Sequence, residues 1–204
     1  YLESYLNNID AEVLNSNLVN TITNKPIYGD PYKIINIENG PKIGIIGVTT
    51  HYIPNWEQEL NIENITFNDA FESAKKVVSM VKEIEKPDFI IINYHGGFER
   101  DFDTFELSTE DTGENQGFKM LKEIDGVDLL LTGHQHRTLA GELFGTHYLQ
   151  PSFNAQGLGF ADIEFTLVNE IWTYKVSKIE IVSTTGVEVD QKLLSLMDSY
   201  ENNT

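Results

Sequence analysis

The sequence predicts an α/β fold, and three observations carry that expectation. Phe89-Ile90-Ile91-Ile92-Asn93-Tyr94 is an apolar run that ends in His95-Gly96-Gly97, and Leu129-Leu130-Leu131-Thr132 is a second that ends in Gly133-His134-Gln135-His136-Arg137. Before the first run lies a long stretch with helical periodicity, so that strand, helix, strand, loop, helix and strand follow one another. That order is expected of α/β units with parallel pairing, whose ligands collect outside the carboxyl ends of the strands.

Leu2, Tyr5 and Leu6 are spaced as in the end of a helix, with Asn7-Asn8 as its stop. Ala11 to Leu18 reads as a short strand, and Asn20 to Asp30 as a polar connection. Tyr32 to Ile37 and Lys42 to Val48 flank Asn39-Gly40, a hairpin signal. Thr49 to Asn64 is a loop, after which Asn68 or Asp69 caps a long helix. Its Ala70, Phe71, Ala74, Val77, Val78, Val81 and Ile84 share one face, and Lys86-Pro87 closes it. The strand Asp88 to Tyr94 leads into an acidic loop, Phe98 to Gly113, and a helix from about Glu114 to Ile124 precedes the Leu129 strand. Tyr148 to Leu149, Gly159 to Leu167 and Ile171 to Ile181 read as strands of a β-rich second half. Val189 to Tyr200 reads as a helix through Leu193, Leu194 and Met197.

A chain of 204 residues with 40% hydrophobic and 11% aromatic residues has room for one ordinary domain with a real core. The formal charge of -18, from 32 acidic against 14 basic residues, repels a polyanion and argues against extended nucleic acid as a partner. A small anionic substrate needs a local positive centre such as a metal ion. With no cysteine, disulfides, thiolate metal sites and cysteine nucleophiles are excluded, and any metal is left to His, Asp, Glu or Asn. No run approaches the roughly 18 apolar residues that cross a bilayer. Because the chain starts at Tyr1 rather than Met, a removed signal peptide stays open.

If the two histidine-tipped strands are neighbours, His95, His134 and His136 converge, and Gly96, Gly97 and Gly133 leave space beside the rings. Imidazole suits zinc, manganese and iron. The plainer reading is surface or capping histidines. Elsewhere Gly29-Asp30 reads as a turn, His51 as a solvated loop residue and His147 as an ordinary strand residue. Arg137 is either a phosphate contact or an exposed, acid-paired side chain. Asp101, Asp103, Glu106, Glu110 and Asp111 form a solvated loop, with a calcium site as the alternative. Trp56 and Trp172 read as packing residues.

The segments Asn93-Tyr94-His95-Gly96-Gly97, Gly113-Glu114-Asn115 and Gly126-Val127-Asp128 through Gly133-His134-Gln135-His136-Arg137 resemble the calcineurin-like metallophosphoesterases. Their nearest likeness is to the bifunctional 5'-nucleotidase and 2',3'-cyclic-nucleotide 2'-phosphodiesterase branch. Lys42 to Thr50, with Ile53-Pro54-Asn55-Trp56 after it, looks like a segment of the cyclic phosphodiesterase members. Likeness extends from about Ala11 to Ile181.

The resemblance implies a four-layer α-β-β-α sandwich with two divalent metal ions, manganese, zinc or similar, that activate a water towards phosphorus. It makes His95 and His134 ligands of one ion and His136 a ligand of the other, and gives Asn115 a substrate-side role. The family's Asp-x-His, Gly-Asp and Gly-Asn-His segments have no counterpart here, so the chain is expected to be an internal fragment, incomplete at the N-terminal side of the sandwich. No catalytic residue is then assigned within it. Residues 1–185 are expected to be the C-terminal part of the catalytic domain and 186–204 the start of a helical linker to a substrate-binding domain. The implied activity is hydrolysis of nucleotide phosphate esters, 5'-nucleotides or 2',3'-cyclic nucleotides, with the 204 residues alone inactive. The alternative is a non-catalytic binding module that keeps the fold. The implied partner is a nucleotide or another small phosphate ester. The implied location is periplasmic, cell-surface or secreted, with the cytoplasm left open.

Overall fold

Apolar runs rich in β-branched residues and leucine lose most surface to water inside a sheet, and this chain uses them there. A computed structural model describes residues 2–201. In chain order its elements are α1 (Leu2–Leu6), β1 (Leu18–Asn20), β2 (Tyr32–Asn36), β3 (Lys42–Thr49), β4 (Ile65–Phe67), α2 (Ala70–Ile84), β5 (Phe89–His95) and α3 (Gly117–Glu123). They are followed by β6 (Leu129–Thr132), β7 (Thr138–Leu143), β8 (Thr146–Pro151), β9 (Gly157–Val168), β10 (Ile171–Ser183) and α4 (Gln191–Glu201).

A six-stranded sheet has the order β2-β3-β5-β6-β8-β7. Its inner pairs β3·β5, β5·β6 and β6·β8 are parallel, and its edge pairs β2·β3 and β7·β8 are antiparallel. This is the expected α/β architecture. Helices α2 and α3 cover one face, where Phe71, Val78, Val81, Phe118 and Leu121 pack with Ile46, Ile90, Ile92, Tyr94 and Leu130. Asp69 caps α2 by accepting from the Glu72 N–H at 2.8 Å, and Lys86, at φ 52°, turns the chain out of it. Near the start of β5 the hairpin β9–β10 covers the opposite face, setting Phe165 and Tyr174 edge-on to Phe89 at 5.7 and 4.8 Å.

Four expectations need correction. Ala11 to Leu18 is not a strand: β1 begins at Leu18 and pairs with β4, and before it Leu14 makes one isolated bridge, to Asp30. Asparagine side chains there take up the backbone groups. Asn15 Oδ1 accepts from the Asn17 and Leu18 N–H groups, while Asn17 bonds to Thr49 N, Thr49 O and Asn68 O. Helix α3 starts at Gly117, since the Asn115 and Gln116 side chains reach away to Gly97, Phe71 and Asp69. Strand β7 has no counterpart in the sequence reading, and β8 is longer than Tyr148 to Leu149. Helix α4 starts two residues after Val189, with Asp190 accepting from the Lys192 and Leu193 N–H groups. Among the described residues no helix is long and apolar enough to cross a membrane.

Candidate metal centre

The parallel register brings the strand ends together. Thr49 pairs with His95 across β3·β5 and Tyr94 with Thr132 across β5·β6, so the turns after β5 and β6 lie side by side. The Gly133 N–H donates to Gly96 O at 3.1 Å. Gln135 clamps the two turns, accepting from Phe98 N at 2.8 Å and donating to Phe98 O at 3.0 Å. A Cβ at Gly97 would overlap the Gln135 amide, which is why glycine is needed there.

His134 and His136 both adopt left-handed backbone, φ 65° and 59°. For a non-glycine residue this costs roughly 1–2 kcal/mol, so neighbouring bonds must hold it. The Arg137 N–H donates to the fully buried Gln150 Oε1 at 2.9 Å, and Gln150 Nε2 donates to Thr132 Oγ1 at 3.0 Å.

The His95 and His134 rings lie 5.4 Å apart at 61°. Trp56 stacks on His134 at 5.4 Å and 26°, and Glu114 Oε1 sits 2.6 Å from His134 Nε2. His136 is exposed and stacks on Phe153 at 4.9 Å and 18°. Burial lowers the His95 pKa, and the nearby His134 and His136 push it the same way. This keeps the imidazole in the neutral form that metals bind. A cleft of about 440 Å³ opens beside His95, lined among others by Leu14, Thr49, Ile53, Asn93 and Gly133.

The donors fit a divalent ion in kind, since paired neutral imidazoles are what zinc or manganese takes. In number they fall short: among the described residues no group of three or more His, Asp or Glu side chains is placed to hold an ion.

Other residues singled out in the sequence have ordinary duties. Gly29, at φ 111°, makes a turn, and Asp30 O accepts from Asn15 N at 2.8 Å. His51 is not a solvated loop residue: it is partly buried, and its Nδ1 accepts from the Ala70 N–H at 3.3 Å at the start of α2. His147 pairs with Leu129 at the far end of β6, 3.4 Å from Glu142. Asp101 closes its own loop by accepting from Asp103 N and Thr104 N, and Asn115 Oδ1 accepts from Gly97 N at 2.8 Å. Sequence reasoning missed two residues here. Trp56, read as a packing residue, is 49% exposed and covers the His134 ring, and Glu114, read as a helix start, is that ring's hydrogen-bond partner. The signal available for Glu114 was chemical: the resemblance implies a ligand role for His134, and a histidine in that role normally gives its second N–H to a carboxylate or carbonyl.

No family model matches the chain. The trifunctional nucleotide phosphoesterase protein YfkN of Bacillus subtilis is 26% identical over 178 residues, which are 84% of this chain and 11% of that protein. Its crystal structure, described as a calcineurin-like phosphoesterase, covers 99% of this chain and 65% of that one, with a TM-score of 0.78 and 24% identity, a likeness of fold. A 2',3'-cyclic-nucleotide 2'-phosphodiesterase/3'-nucleotidase of Salmonella typhimurium is 28% identical over 152 residues, 71% of this chain and 22% of that protein. The crystal structure of a candidate 5'-nucleotidase from Staphylococcus aureus matches 99% of this chain and 39% of its own, with a TM-score of 0.85 and 28% identity. The chain thus spans about a tenth to a fifth of these curated relatives. Its fold is that of the calcineurin-like metallophosphoesterases, and its homologues are nucleotide phosphoesterases.

Proposed function

We propose that this chain contributes one side of the metal centre of a hydrolase that cleaves nucleotide phosphate esters, 5'-nucleotides or 2',3'-cyclic nucleotides. The observation that carries the reading is the pairing of His95 and His134, 5.4 Å apart on adjacent parallel strand ends. On this reading His95 and His134 hold one divalent ion and His136 a second. Bound ions of this kind polarise phosphate oxygens and activate a water. The chain's own residues orient the donors: Gln135 fixes the two turns, Trp56 and Phe153 cover the rings, and Glu114 holds His134. A local cation also reconciles an anionic substrate with the charge of -18. Residues 1–185 then form part of a catalytic domain, and 186–204 lead out of it. An exported location goes with the same reading.

The test is an assay of the full-length protein with manganese or zinc on 5'-nucleotides and 2',3'-cyclic nucleotides, with and without chelator. Turnover that needs the metal and is lost in His134→Ala supports the reading. A folded protein that binds nucleotide without turning it over points instead to a binding module. Three histidines shared between two ions leave both short of ligands, so the 204 residues by themselves are expected to show little turnover.

A further inference from the structure

The bond between Glu114 and His134 decides which nitrogen of that ring is open. At 2.6 Å from Glu114 Oε1, His134 Nε2 is placed to donate to that oxygen, the arrangement of the Nε2–H tautomer. A neutral imidazole has one N–H and one lone pair, and the lone pair is then on Nδ1. Trp56, stacked 5.4 Å away at 26°, restrains the ring from turning over. Nor is Glu114 a loose surface residue. Its carbonyl accepts from Thr50 Oγ1 at 2.7 Å and from the Tyr94 hydroxyl at 3.3 Å, which anchors its backbone to the ends of β3 and β5. The His134 and Glu114 side chains are only 21% and 31% exposed, so water competes weakly for the bond.

We infer that Glu114 is a positioning residue that fixes His134 as the Nε2–H tautomer and so directs Nδ1 to the metal. This rests on the metal reading given above and adds to it the ligating atom and the group that selects it. A carboxylate in this place also raises the basicity of the ligating nitrogen, and loss of such a partner typically costs about 10–100-fold in metal affinity.

The full-length protein, labelled with ¹⁵N-histidine and loaded with ¹¹³Cd, tests this directly. The expected result is cadmium coupling to Nδ1 of His134, and an Nε2–H tautomer in the metal-free protein. By chelator competition, Glu114→Ala is expected to lower cadmium and manganese affinity about 10–100-fold. Glu114→Gln keeps an acceptor oxygen for Nε2–H and is expected to lose less, a rescue that a purely structural role does not predict. Coupling through Nε2, or a Glu114→Ala protein of unchanged affinity, overturns the role of Glu114 and leaves the metal reading standing. Coupling to none of His95, His134 and His136, with affinity indifferent to His134→Ala, overturns the metal reading itself.

Discussion

The Tyr174 hydroxyl donates to Asp128 Oδ1 at 2.6 Å, while the second oxygen of that carboxylate accepts from the Ile90 N–H at 2.6 Å. One carboxylate thus ties the β9–β10 hairpin to the starts of β5 and β6. Burial raises the Asp128 pKa, and these two donors work against it. Tyr174→Phe keeps the edge-on contact with Phe89 and removes only the donor. Hydrogen bonds to charged groups contribute about 1.5–3 kcal/mol, so urea unfolding is expected to show a loss of that size. No measurable loss would mean that water replaces the hydroxyl.

Gly47 is crossed closely by the segment before β1, with Ser16 N and Ser16 Oγ both donating to Gly47 O, at 2.8 and 2.7 Å. A Cβ at Gly47 would run into the Leu14 carbonyl, which is backbone and has nowhere to go. Overpacking of this kind costs about 1–3 kcal/mol, and Gly47→Ala is expected at or above the top of that range. Gly44, three residues earlier on β3, is the control. Its Cβ would meet only side chains, Pro87 and Val81 at 3.4 Å, so Gly44→Ala is expected to be nearly neutral. Equal losses at both positions would refute the crossing as the cause.

Glu99 gives the pH dependence a definite sign. Burial raises its pKa above 4.5, although its carboxylate accepts from the Phe118 and Lys119 N–H groups. The folded state therefore holds this proton more tightly than the unfolded chain. The stability it contributes is present below the ordinary glutamate value, falls as pH rises through the raised one, and is flat above. Wild type minus Glu99→Gln, followed by denaturant unfolding from pH 4 upward, cancels the other carboxylates and is expected to decline. A difference that rises with pH contradicts the assignment.

His136 occupies backbone that an asparagine holds at least as easily. The position is left-handed at φ 59°, a region asparagine tolerates better than most residues. His136→Asn is expected to leave thermal stability unchanged or raise it by up to about 1 kcal/mol, even with the Phe153 stack lost. Under the proposed function the same variant loses metal-dependent turnover. A gain in stability with a loss of activity is the pattern of strain kept for function. Clear destabilisation in a melting experiment would show that the stack outweighs the strain.

Local patterns were legible wherever one residue type dictates its own surroundings. The runs Phe89-Ile90-Ile91-Ile92 and Leu129-Leu130-Leu131 announced buried strands, and the spacing of Ala70, Phe71, Ala74, Val77, Val78 and Val81 announced the buried face of α2, whereas Ile84, expected on the same face, is 65% exposed in the last turn. Asp69 was one of two cap candidates, and the Asn39-Gly40 hairpin joins β2 to β3 as expected. What depends on distant partners was not legible. Glu114 and His134 are 20 residues apart, and their meeting is set by the parallel register of β3, β5 and β6. Strand β7 alternates half-buried and exposed residues at the sheet edge, and its sequence Thr-Leu-Ala-Gly-Glu-Leu lacks the β-branched run that marks the inner strands. The Asn15 and Asn17 clamps act through tertiary contacts that an Ala11 to Leu18 strand pattern does not contain.

Strand β5 divides its labour by parity. Ile90, Ile92 and Tyr94 face the helices and join the core, while Phe89 meets the hairpin and His95 the candidate metal centre on the other side. Substitutions at odd positions can therefore retune chemistry without repacking the helical layer, and those at Ile90 and Ile92 can alter stability without touching a ligand, whereas Tyr94 reaches the site through its hydroxyl on Glu114 O. A single-residue insertion or deletion within β5 has no such freedom: it exchanges the two sets and loses both at once.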